Sequence, residues 1–185
     1  AIYKKTTELY PNDFRAYNNL GMMAYANGDF TTAENYFKQA ASKDANAPEV
    51  NTNLGYIELV KGNVANAETY LSKSTGANTA NEALGNLYIK QGQYDRAVQA
   101  FGDTKTNSAA LAQILAKDYN KAKNTLNAVQ NPDAYTDYLM AIVGARTNNA
   151  DLVKTSMAKV AQKDATLAAK AQNDREFAKY ANEIK

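Results

Sequence analysis

The sequence predicts an all-α chain, a right-handed superhelical solenoid of antiparallel helix pairs. The first observation behind this is a spacing. Leu20-Gly21, Ala24, Gly28, Phe30, Ala33, Phe37 and Ala40 return 34 residues later as Leu54-Gly55, Glu58, Gly62, Val64, Ala67, Leu71 and Ser74. Units of that length, each two helical stretches about a turn, cannot bury their apolar faces alone and are stable only when stacked. The second is that large apolar residues recur at the three-and-four spacing of a buried helical stripe within each stretch. The third is punctuation: the turn glycines Gly28, Gly62 and Gly92 are followed by Asp29, Asn63 and Gln93. With Asp118 and Asn149 these hold the position where a second helix must satisfy its free amides, and all but Gln93 are good N-cap residues.

The elements follow in chain order. Residues 1–12 read as half a repeat, since Tyr3, Thr6 and Pro11 fit the back of a unit, so the chain is expected to begin inside a repeat and continue upstream. Residues 13–47 form the first full repeat. Residues 48–77 form the second, opened by Pro48 at a first helical position, where a missing amide costs nothing. Residues 78–105 form the third, in which Leu84-Gly85, Tyr88, Gly92, Tyr94, Ala97 and Phe101 return after only 30 residues. That shortening predicts a rupture in regularity near Gly76, and another is expected over 103–108. Residues 106–132 are a degenerate fourth repeat, Ala109-Ala110, Lys117, Tyr119, Ala122, Leu126 and Val129, with lysine in place of the turn glycine. Residues 133–164 form the fifth, through Met140-Ala141, Gly144, Asn148, Ala150, Val153, Met157 and Val160. The remaining residues, 165–185, are too few for a pair and read as a cap of two short helices, 165–171 and 175–184, the second presenting Phe177, Tyr180 and Ile184 to the last repeat.

Inside each pair, Gly21, Gly55 and Gly85 are expected to let the helices approach closely, with Ala33, Ala67 and Ala97 doing the same on the facing helix. Leu20, Phe37, Leu54, Leu71, Leu84 and Phe101 are then expected to fill the space between pairs.

The stretches YNNLGMMAYANGDFTTAENYFKQA, NTNLGYIELVKGNVANAETYLSKS and NEALGNLYIKQGQYDRAVQAF resemble tetratricopeptide repeats, most specifically over residues 13–101. Tyr17 stands where that family often has tryptophan; Asn51 and Asn81 depart from the aromatic preference, and Asp44-Ala45 replaces the usual aspartate-proline exit. The resemblance implies a non-enzymatic scaffold that binds a protein or a peptide, with the first helices of successive pairs lining a concave face. On it, the positions implied for binding are Asn19, Met22, Asn53, Tyr56, Asn86 and Lys90. Asn19 and Asn53 stand where family members that grip a peptide backbone place asparagine, whose amide can donate to a carbonyl while accepting from an NH. Asn18 and Thr52, also expected to face outward, lack the lysines of a carboxylate clamp. Asn53 is expected to be exposed, so that its replacement by alanine changes stability by less than about 0.5 kcal/mol.

The asparagine-rich, cysteine-free style and the ending KDATLAAKAQNDREFAKY are also similar to repeat-containing envelope proteins of Bacteroides-type bacteria. That similarity implies one module of a larger envelope protein, periplasmic, or a lipoprotein or otherwise associated with the outer membrane. The competing reading is a structural spacer whose groove holds no ligand.

Composition weighs against other classes. The chain has no histidine and no cysteine, so the usual neutral-pH base, thiolate nucleophile and soft metal ligands are missing. Neither catalysis, a cofactor nor a metal is expected. A formal charge of +2 is too small for a nucleic-acid footprint, and the lysines at 117, 121, 123, 154, 159, 163 and 170 read as solvated surface. No apolar run approaches the roughly 18 residues of a membrane helix, so direct membrane insertion is not expected, and any signal peptide is removed or lies upstream. Glu58 interrupts a position that is alanine or tyrosine in the neighbouring repeats and is expected at the groove edge or bonded to a tyrosine. Among the tyrosines, Tyr10, Tyr56 and Tyr138 are the least constrained by the frame.

Overall fold

In the computed structural model, which describes residues 2–74 and 78–185 without the side chains of Tyr3 and Asn78, every regular element is helical. The helices are α1 (Ile2–Leu9), α2 (Phe14–Ala26), α3 (Phe30–Lys43), α4 (Pro48–Val60), α5 (Val64–Lys73), α6 (Asn78–Lys90), α7 (Tyr94–Phe101), α8 (Asn107–Leu115), α9 (Tyr119–Asn127), α10 (Ala134–Arg146), α11 (Ala150–Lys163) and α12 (Ala165–Ala171), with a 3₁₀ turn over Arg175–Tyr180. They form two compact units, Ala1–Leu84 and Gly85–Lys185, the division falling within α6. The rupture expected near Gly76 lies outside the described residues.

In the first unit the pairs are α2 with α3 and α4 with α5. The side chain of Asp13 accepts from the Arg15 amide at 3.0 Å and starts α2; that of Asp29 accepts from the Thr32 amide at 3.2 Å and starts α3. The helices of a pair meet at glycine. A Cβ on Gly21 would stand 2.5 Å from the Phe37 ring, and one on Gly55 would stand 2.7 Å from Leu71 Cγ. Ala33, Phe37, Ala40, Val50, Leu54 and Ile57 make the core, joined by Ala47 at the α3–α4 turn. Leu20, expected among these fillers, is only half-buried.

Asn51, at the position of the family's aromatic residue, is buried for a polar reason. Its amide donates to the Ala45 and Ala47 carbonyls at 3.1 and 3.2 Å, closing the turn that has lost its proline. Thr52 is buried as well, donating to the Pro48 carbonyl at 2.8 Å, an oxygen that also accepts from Ser74 at the end of α5 at 3.0 Å. The outward orientation expected for Thr52 is therefore corrected: its hydroxyl serves its own helix.

The second unit contains the rest of α6 with α7, then α8 with α9 and α10 with α11. A Cβ on Gly85 would stand 2.5 Å from the Phe101 ring. After Phe101 the chain turns on Gly102 at φ +54°, leaving α7 at 8 residues against the 14 of α3. The inter-helix turns share one left-handed position. It is Gly28, Gly62 and Gly92 at φ +73° to +78°, but Lys117 at +65° and Asn148 at +56°, where a Cβ adds strain.

Of the expected N-caps, the side chains of Asp118 and Asn149 accept from the Lys121 and Leu152 amides, as Asp29 does from Thr32. Asn63 and Gln93 make no side-chain cap. Asn63 instead gives its amide to Glu58 at 2.9 Å, and the longer Gln93 accepts from Arg96 at 2.7 Å. Beyond α12, Phe177, Tyr180 and Ile184 are buried with Tyr138, Val153, Met157 and Val160. Tyr138, expected to be loosely constrained, packs edge-on to Phe177 at 5.4 Å, and its hydroxyl donates to Asp174. Burial and that carboxylate push its pKa up. Arg146 of α10 pairs with Glu176 through two nitrogens, fastening the same segment.

Candidate functional site

The first helices α2 and α4 and the start of α6 border a cleft of about 550 Å³ within the first unit. The four-residue spacing of Phe14, Asn18 and Met22 puts them on one face of α2, and Glu49 and Asn53, also four apart, share a face of α4 with Tyr56. All six line the cleft, together with Arg15, Asn19, Thr52 and Thr79.

Four of the six residues implied by the sequence thus come together: Asn19, Met22, Asn53 and Tyr56. Asn86 and Lys90 are exposed on the portion of α6 that belongs to the second unit. Phe14 and Glu49 line the cleft from the first turns of α2 and α4, and a four-residue step back from Asn18 and Asn53 is the sequence signal that finds them.

The polar groups of the cleft are in different states. Asn53 Nδ2 donates to Asn18 Oδ1 at 2.9 Å, and Asn18, 7% exposed, points its own Nδ2 toward Met22 Sδ at 3.8 Å. Asn18 is therefore an interhelical strut, not the outward residue expected. Asn53 is half-buried, not exposed, and its Oδ1 remains available as an acceptor. Asn19 makes no side-chain hydrogen bond among the described residues. The Tyr56 hydroxyl donates to the Thr79 carbonyl at 3.3 Å, and its pKa is raised by burial, then by the Glu82 carboxylate and Tyr25. Met22, half exposed, supplies a flexible apolar surface. Arg15 is held by Asp13, with Nε at 3.0 Å and Nη2 at 2.8 Å, and this pairing holds the Asp13 carboxyl below its usual range.

Glu58 belongs elsewhere. It is 8% exposed, accepts from Asn63 at 2.9 Å, Lys61 at 3.2 Å and Asn66 at 3.3 Å, and shares Lys61 with Glu34. Neither the groove edge nor a tyrosine is involved: a glutamate at the end of α4 reaches the first turn of α5, whose amide side chains hold its pKa down, helped by Lys61. The same repeat position in the next pair is Tyr88, whose hydroxyl accepts from Arg96 of α7 at 2.8 Å. In both, the residue bonds a side chain eight positions on, across the turn.

Among the described residues no three acidic, histidine or cysteine side chains converge as metal ligands would, and no helix is long and apolar enough to cross a membrane.

In structure the chain is similar to YrrB, a TPR protein with an unusual peptide-binding site (TM-score 0.73, 17% identity, covering 94% of this chain and 99% of that one). PilF of Pseudomonas aeruginosa matches with a TM-score of 0.72 and 14% identity, over 98% of this chain and 86% of its own. PilW, a widely conserved type IV pilus biogenesis factor, matches with a TM-score of 0.63 and 18% identity, over 96% and 86%. None of the curated proteins matches in sequence. At these identities the likenesses establish the fold. Sequence models of the tetratricopeptide repeat match residues 2–35, 21–82 and 81–105, together more than half of the chain, and on these the chain belongs to the tetratricopeptide-repeat family.

Proposed function

We propose that the chain is a non-enzymatic scaffold that binds an extended peptide segment of a partner protein in the α2–α4 cleft. The observation that carries this is the pairing of two amide side chains in different states on facing helices. Asn19 is unbonded among the described residues, and Asn53 is oriented by Asn18 with its oxygen free. An unbonded amide can both donate to and accept from a peptide unit, while an oriented oxygen accepts a peptide NH without first losing rotamer freedom. Met22 and Tyr56 add apolar surface. Asn86 and Lys90 are proposed, by their place in the repeat frame, as binding positions of the second unit. The peptide-binding site named for YrrB is in keeping with this use of the fold.

The test is selection of a random dodecapeptide phage library on the immobilised chain, followed by titration of the enriched peptides. Asn19→Ala combined with Tyr56→Ala should weaken binding about tenfold or more with the circular dichroism unchanged. The loss of one hydrogen-bonding amide and of the apolar surface of the Tyr56 ring accounts for that size. Failure of any peptide to enrich, or enriched peptides indifferent to these variants, would favour a spacer role. We further propose, from the composition and C-terminal style of the sequence, that the module serves a larger bacterial envelope protein. Recovery of the native protein in a cytosolic fraction would refute that.

A further inference from the structure

The charges around the cleft are unbalanced, and the imbalance specifies the occupant. Arg15, the cation in the lining, is already held by Asp13 in a two-point contact. Glu49 lines the cleft from the first turn of α4 and is exposed, with no partner among the described residues. Glu82 is also without a partner among the described residues; it follows the cleft residue Thr79 by three positions on α6, the spacing that shares a helix face. Its carboxylate is close enough to contribute to the raised pKa of Tyr56. One carboxylate, Glu49, therefore lines the cleft and a second, Glu82, stands beside its Tyr56 wall, neither in an ion pair among the described residues, while the lining also offers Phe14, Met22 and Tyr56.

Building on the peptide reading above, we propose that the cleft selects an internal segment carrying an apolar side chain flanked by lysine or arginine. The apolar group packs on Met22, Phe14 and Tyr56, and the cationic neighbours are met by Glu49 and Glu82. A free C-terminal carboxylate is disfavoured for the same reason: Asn18 and Thr52, where a clamp would need lysine, are buried and committed to hydrogen bonds within the protein, so neither clamp position offers a cation to receive it.

The enriched dodecapeptides provide the probe. They should carry an apolar residue next to Lys or Arg, bind equally with an amidated or a free C-terminus, and weaken with added salt. Glu49→Gln with Glu82→Gln should lower their affinity about fivefold, as expected for two partly exposed ion pairs, and should abolish the preference over peptides in which Lys and Arg are replaced by Gln. Enrichment of neutral or acidic peptides that still depend on Asn19 and Tyr56 would overturn the charge selection while leaving the cleft as the binding site. Enriched peptides sensitive to neither set of variants, or no enrichment at all, would overturn both.

Discussion

Replacing Asn53 with alanine tests whether the α2–α4 contact is held by a polar strut. The bond from Asn53 Nδ2 to Asn18 Oδ1 is 2.9 Å long. A neutral hydrogen bond contributes about 0.5–1.5 kcal/mol net, but a buried acceptor left without its donor costs about 1–3 kcal/mol. Asn18 is 7% exposed, which argues for the larger figure, while the cleft beside it lets water approach, which argues for the smaller. The expected loss is about 1–2 kcal/mol, above the roughly 0.5 kcal/mol typical of an exposed site. Urea unfolding followed by circular dichroism, with Asn53→Ala, Asn18→Ala and the double variant, gives the coupling directly. It should be about 0.5–1.5 kcal/mol, because the second substitution removes the orphaned oxygen. Unchanged slopes with purely additive effects, or Asn53→Ala within about 0.3 kcal/mol of the parent, would refute the strut and return Asn53 to the solvated face.

Three further outcomes follow from the packing and the charge network. Gly55→Ala should destabilise by about 1–3 kcal/mol, since its Cβ would stand 2.7 Å from Leu71 Cγ; adding Leu71→Val should recover part of this by giving the methyl room, and a neutral Gly55→Ala in thermal melts would contradict the close approach. Lys117→Gly should stabilise by up to about 1 kcal/mol, because the left-handed φ of +65° strains a side-chain-bearing residue; a lower urea midpoint would count against this. Glu58 and Glu34 have pKa values lowered, chiefly by Asn63 and by Lys38 respectively. Their contribution is therefore fully present above the ordinary glutamate value of about 4.3 and is lost as pH falls through the lower folded values. The urea midpoint should drop on acidification from about pH 5 to pH 3, and Glu58→Gln should flatten that slope; an unchanged slope would dissociate Glu58 from the acid sensitivity.

Much of the fold is written locally. Gly21, Gly55 and Gly85, the alanines facing them, and the residues on either side of each turn are recognisable because a helix pair packs at the same positions every time it is repeated. The left-handed turn is legible even where lysine or asparagine replaces glycine, since the flanking pattern places it. The early end of α7 at Phe101 lies beside the irregularity expected over 103–108.

The cleft was legible only in part, for a physical reason. Periodicity tells which face of a helix a residue occupies, and the resemblance to tetratricopeptide repeats implies which face lines a groove; the two together point to Asn19, Met22, Asn53 and Tyr56. It does not tell whether a polar side chain on that face meets solvent or a neighbour from the next pair. Asn18 became an interhelical strut because α2 and α4 approach one another, and the hydroxyls of Thr52 and Ser74 both turned onto the Pro48 carbonyl; Glu58 turned toward Asn63 and Asn66 because the α4–α5 turn brought their amides within reach. Those are contacts between residues up to 35 apart in the chain, and their selection depends on which partner the packed helices present. Helix, turn and face are properties of neighbouring residues and follow from the order of amino acids. Hydrogen-bond partners, burial of polar groups and the uncompensated charge of Glu49 and Glu82 arise only when the pairs are stacked.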